Sequence, residues 1–427
     1  MVNERIGVVP MFVCLTVVLI VWFPSASSEL AWKEDGWLTT SLADERLALG
    51  DEFGCYGIPG LSWELDPGAI ANQCDQYISQ RTVANRWGMT PISIHTPANL
   101  VMTDHEKIAS QGFFVHGDNT GLETTAWHSA QDEPTDRWDW YNFGRRGGSL
   151  EKGIASLEMV KNEIEGGGVV NMYWIGRVND ATVRHDNDVL DYLERQTNIW
   201  YTTWGEVWSL WNAQRCYEFI RSITPTQTGA LLSFEVNQDD ACEANEPRAW
   251  NVPETWVFEL TNATVKNVMK GSLGLPSIEG VQQSIEGWRL ENESTMYLSL
   301  TRGTSVTIEL EGENLSYDIL GQTQFWNNLT TAFTLAGHGT SDLFLWSKRF
   351  VEHETIRFTW LLTPRDVLED STLLPVAVVL IAGLTVLGMF ALIKKEQLNA
   401  SLQVDFHGID SKNAMTSQNH RRLDESE

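Results

Sequence analysis

The stretch Gly166-Gly167-Gly168-Val169-Val170-Asn171-Met172-Tyr173-Trp174 stops a helix and starts a strand. Upstream of it, Ile154, Leu157, Val160 and Ile164 recur at helical spacing behind Ser149, a residue type suited to an N-cap. Three glycines break that period. The run Val169–Trp174 then carries almost no polar alternation, the pattern of a strand buried on both faces.

Outward from this point, strand and helix keep alternating. Gly60–Leu65 reads as a strand, Ala69–Trp87 as a helix and Thr90–Ile94 as a strand. Thr103–Ser110 reads as a helix, with Thr103 as N-cap and Glu106 at the capping-box position, and Gly112–Val115 as the next strand. Beyond the glycines, Asp186–Gln196 is helical, Ile199–Thr202 extended and Gly205–Arg221 a last helix. Such alternation predicts a parallel α/β sheet or barrel. Near residue 225 the period becomes two. Trp256, Phe258 and Leu260 alternate with polar partners, as do Val306, Ile308 and Leu310, and Ile356, Phe358 and Trp360. That predicts an antiparallel β-sandwich.

The two ends add a topology. Residues 1–28 have the charged, apolar, small-residue order of a secretory signal. Residues 373–393 carry no charge and match the ~20 residues that cross a bilayer. Lys394 and Lys395 follow at once and mark the cytoplasmic side. The expected order is therefore signal 1–28, α/β barrel 29–224, sandwich 225–363, stalk 364–372, transmembrane helix 373–393 and a disordered cytoplasmic tail 394–427. The expectation is a single-pass cell-membrane protein, with the lipid bilayer as a partner through residues 373–393.

Four cysteines fall in the exported part: Cys55, Cys74, Cys216 and Cys242. An even number suggests two disulfides, and nearest-neighbour pairing is one of three connectivities. Asn262, Asn292, Asn314 and Asn328 each open an Asn-x-Ser/Thr site for N-glycosylation. A net charge of -27 argues against a nucleic-acid partner, and its spread along the chain reads as a solvated surface. The sequence has no dinucleotide fingerprint, phosphate loop or nucleophile elbow.

Functional residues of parallel α/β folds gather where strands end. That rule selects Asp66, His95, His116 and Asp118. Neutral imidazoles with a carboxylate suit a zinc-like ion, which activates water. The same residue types are also ordinary in loops.

At these positions the chain resembles the polysaccharide deacetylase superfamily, over roughly residues 55–222. Leu65-Asp66-Pro67-Gly68 stands where that family has strand-Asp-Asp-Gly, and Gln111–Thr120 where it has Gly, strand and His-x-x-x-His. Asp188–Arg195 and Ile199–Val207 are similar to its terminal helix, strand and Glu-Val helix start. The resemblance implies a deacetylase-like barrel, with Asp66 as catalytic base and His116 as a metal ligand. If active, the protein would be a metal-dependent hydrolase of amide (N-acetyl) or ester bonds on carbohydrate.

The departures are at the metal. Pro67 replaces one ligand, Thr120 another, and no His falls in Met172–Ile175. Two accounts follow. In one, the site is lost, no cofactor binds, and the barrel is a scaffold or carbohydrate-binding surface of a non-enzymatic adhesion protein. In the other, His95, His116 and Asp118 form a shifted site for one zinc-like divalent ion beside Asp66. The chain has 19 tryptophans. Trp127, Trp138, Trp140 and Tyr141, after the third strand, are the candidates to stack on a glycan or polysaccharide partner. Trp174, Trp200, Trp204, Trp208 and Trp211 read as core.

Overall fold

The structure, a computed structural model, describes residues 35–122, 126–150, 156–175, 187–239, 241–242, 248–343, 350, 352–365, 380–381, 383–395 and 397. The expected signal lies outside the described residues, as does nearly all of the tail beyond residue 395. Residues up to Asp366 form one compact unit and Val367–Glu427 another.

The first unit begins with α1 (Ser41–Leu49) and β1 (Glu52–Cys55), followed by α2 (Pro67–Ser79) and α3 (Met102–Ser110). Then come β2 (Gly148–Ser149), α4 (Leu157–Gly166), β3 (Gly168–Ile175), α5 (Asn187–Glu194), β4 (Ile199–Tyr201) and α6 (Trp204–Cys216). Ser156, not Ser149, caps α4 by accepting the Met159 N–H. The glycines stop α4 and β3 starts at Gly168, as the opening stretch predicts. Gly60–Leu65 forms no strand. The strand is β1, where a buried Glu52 and a short run hide the usual apolar signal.

The period-two region supplies β5 (Tyr217–Pro225), β6 (Gly229–Gln238), β7 (Glu254–Thr261), β8 (Thr264–Lys270) and β9 (Leu273–Gly274). It continues with β10 (Gly287–Asn292), β11 (Thr295–Leu300), β12 (Ser305–Glu311) and β13 (Ser316–Gln322). These form two antiparallel sheets, β5-β6-β12-β8-β9 and β10-β11-β7-β13. Burial alternates along β12 without a break, so Val306, Ile308 and Leu310 face the core.

The last two strands leave that pattern. β14 (Thr331–Thr340) and β15 (Phe358–Leu362) return to the first sheet, whose order is β1-β15-β14-β3-β2. β14 runs parallel to β3, from Thr331 opposite Gly168 to His338 opposite Ile175. On its other edge β14 meets β4 and then β15, and β15 meets β1. Parallel bridges Cys55–Ile94 and Ser93–Val115 continue the sheet beyond β1.

This overturns the expected fold class, a deacetylase-like barrel followed by a sandwich and one transmembrane helix. The antiparallel sheets are inserted into the α/β part, which is completed only by β14 and β15. Ile356, Phe358 and Trp360 misled because Arg357 and Thr359 lie between them. Thr359 is buried and its hydroxyl donates to Glu52 Oε2, so β15 is covered on both faces. Among the described residues no helix is long and apolar enough to cross a membrane. Of the stretch expected to span, residues 373–379 and 382 lie outside the described residues. The expected transmembrane helix is corrected on that ground.

Both disulfides pair nearest neighbours. Cys55–Cys74 ties β1 to α2, and Cys216–Cys242 ties the end of α6 to the residues after β6.

Candidate metal centre

Because the strands of the first sheet run parallel, their carboxyl ends share one rim. Tyr56 follows β1 there, His95 follows the bridge residues Ser93 and Ile94, Asp118 follows Val115, and Tyr173 and His338 sit near the ends of β3 and β14. Ligand atoms of His95, Asp118 and His338 lie within 4.8 Å of one another. Asp118 reaches the group through Gly117, whose φ of +110 is a conformation that suits glycine. The His338 Nε2–H donates to Asp118 Oδ2 at 3.1 Å.

A second layer holds these side chains. The Tyr56 ring stacks on His95 with centroids 4.5 Å apart, and Tyr173 stacks on His338 at 5.5 Å. The Arg145 guanidinium lies 4.3 Å from the centre of the Tyr173 ring, with its Nε 3.4 Å from Asp118 Oδ2.

Burial, then the neighbouring His338, pushes the His95 pKa down to about 4, so the ring is neutral at pH 7. Its Nδ1 is buried and has no hydrogen-bond partner among the described residues. Burial alone would raise the Asp118 pKa. The His338 hydrogen bond and charge, with Arg145 and His95, outweigh it and hold the carboxyl below its ordinary value. Burial and Asp118 raise the Tyr56 pKa, so it stays a phenol.

Other expected site residues go elsewhere. Asp66 is exposed and caps α2, its Oδ1 accepting the Ala69 N–H at 2.9 Å. His116 is fully buried, and both its nitrogens are engaged. Its Nε2–H donates to Phe113 O at 2.8 Å, and its Nδ1 lies 2.7 Å from His105 Nδ1. Burial, then the His105 charge, keeps it neutral, but neither nitrogen is left for a metal. The shifted site as expected, with His116 and Asp66, is therefore not assembled.

The expected glycan platform also dissolves. Trp127, Trp140 and Tyr141 are buried, with Trp127 edge-on to Trp140 and Phe325. Trp138 alone of the four keeps partial exposure. Trp174, Trp200, Trp204, Trp208 and Trp211 are core, as expected. Asn262, Asn292, Asn314 and Asn328 are all exposed, and three of them, Asn262, Asn314 and Asn328, take positive φ.

His338, Tyr56, Tyr173 and Arg145 escaped the sequence reading. A signal for His338 existed: Leu335-Ala336-Gly337-His338-Gly339 repeats the apolar-His-Gly ending of Val115-His116-Gly117.

No family model matches the chain, and no curated protein matches it. A solved structure with some similarity is the chitin-binding domain of a hyperthermophilic chitinase from Pyrococcus furiosus. It shares 13% identity at a TM-score of 0.17, over 25% of this chain and 90% of that one. A likeness at that level says nothing of function.

Proposed function

We propose that His95, Asp118 and His338 hold one zinc-like divalent ion, and that the protein is a metal-dependent hydrolase of amide or ester bonds on carbohydrate. The observation that carries this is the convergence of the three donors within 4.8 Å. Bonds of ~2.0–2.2 Å in tetrahedral geometry need donors about 3.5 Å apart, so a shift of roughly 1 Å closes the set. A buried, unpartnered His95 Nδ1 and an ionised Asp118 fit such an ion. When bound, it would lower the pKa of a water and polarise a carbonyl. Tyr56 and Tyr173 fix the planes of the two imidazoles, and burial keeps His95 unprotonated. The carbohydrate class rests on the resemblance over residues 55–222.

A second reading has its own observation. Asp118 is already paired with His338 and Arg145, and such a closed network can be a static part of a non-enzymatic binding surface. Metal content separates the two. After equilibration with zinc and dialysis, the protein should retain one ion per chain. His338→Ala and His95→Ala should lose it and lose hydrolysis of acetylated chito-oligosaccharides. A wild-type chain without zinc would leave the static network as the better account.

A further inference from the structure

Asp118 has one carboxylate and too many claims on it. Its Oδ2 accepts from His338 at 3.1 Å and faces Arg145 Nε at 3.4 Å, while Oδ1 faces Arg145 Nη2 at 3.5 Å. Both Arg145 contacts are long for charge-assisted hydrogen bonds, which run ~2.7–2.9 Å. The Arg145 Nε is buried and meets no acceptor in hydrogen-bonding geometry among the described residues. The buried Nε is thus charge-paired but makes no hydrogen bond, a state that costs free energy, and the Nη2 bond to Asp118 Oδ1 is long. The guanidinium lies over Tyr173 and against Asp118, and the Arg145 side chain as a whole is 35% exposed.

We propose that Arg145 is the anion-recognising residue of this site, so that the substrate carries a carboxylate or sulfate beside the bond attacked. The proposal rests on the metal reading above. A divalent ion on Asp118 puts a second cation where Arg145 now sits, and like charges on one carboxylate repel. Arg145 then turns toward solvent, where its planar fork matches the oxygens of a carboxylate or sulfate. Metal and anion therefore bind with positive coupling, and the coupling is reciprocal. The attraction has to be local, because the chain as a whole carries a charge of -27.

Calorimetric titration of zinc into the full chain tests this, at constant ionic strength, with glucuronate, sulfate or glucose present. Glucuronate or sulfate should tighten zinc binding by about five-fold or more, the lower end of ordinary coupling. Glucose should do nothing, and whichever anion acts identifies the group recognised. Arg145→Gln should bind zinc several-fold tighter without anion and show no tightening with it. Arg145→Lys, which keeps the charge and serves if the first variant folds poorly, should retain part of the coupling. Equal tightening in Arg145→Gln means that the anion binds the ion directly and overturns the proposal. So does zinc binding in the wild type that no anion affects. If the wild type binds no zinc, the metal reading fails first and takes this one with it.

Discussion

His116 and His338 each end a buried parallel segment, and glycine follows each. By position the two are equivalent, and only the fate of the ring nitrogens separates them. His116 is closed between Phe113 O and His105, whereas His338 faces Asp118. That contrast makes a prediction. His116→Ala removes a buried, doubly bonded ring and leaves His105 Nδ1 without its partner, so it should cost about 2–4 kcal/mol in urea denaturation. It should nevertheless keep the zinc that His338→Ala loses. Loss of zinc from both variants to the same extent would contradict the division of roles. His95 and Asp118 were legible because each follows a locally recognisable apolar run. Tyr56 was not, since β1 is Glu-Phe-Gly-Cys and a charged residue opens it.

At the scale of elements, local periodicity identified strands better than it identified their partners. β3, β4 and α5 fall within two residues of their expected bounds. β14 is buried along almost its whole length, unlike the alternating β12, but nothing local says that residue 331 will lie beside residue 168. That information sits in the inserted sheets and their fit to the α/β part. Trp250, just before β7, is a visible piece of the fit. Its backbone N–H donates to Ser209 Oγ on α6 and its indole N–H to Thr90 O. The indole packs so closely on Gly88 and Gly205 that a Cβ on either would fall inside it. Gly88→Ala should therefore destabilise by about 1–3 kcal/mol through overpacking. The cost should shrink when Trp250→Ala is combined with it, because the two residues touch. An undiminished cost in the double variant would mean that Gly88 matters for some other reason.

For the whole molecule, one buried acid joins distant parts of the chain in a way that the sequence could not locate. Glu52 on β1 accepts the Gly205 N–H of α6 at 2.9 Å and the Thr359 hydroxyl of β15 at 3.0 Å, while its Oε1 has no hydrogen-bond partner among the described residues. It thus joins three elements from the beginning, middle and end of the first unit. Burial pushes its pKa up to about 7 from 4.5, against the hydrogen bonds that lower it. The folded state therefore holds a proton that the unfolded chain releases above pH 4.5. Stability from this group is complete below that pH and falls as pH rises through 7. The full loss is up to about 3 kcal/mol. His95 and His105, both lowered to about 4 by burial, work in the opposite sense: they favour the folded state more as pH rises toward 6.5. The total curve therefore masks Glu52, and the measurement has to be a difference. Urea melts of wild type and Glu52→Gln, compared between pH 5 and pH 8, cancel the histidines. The wild type should lose roughly 2–3 kcal/mol relative to the variant over that interval. A constant difference across it would mean that Glu52 is ionised in the folded protein throughout, and that Gly205 and Thr359 offset its burial.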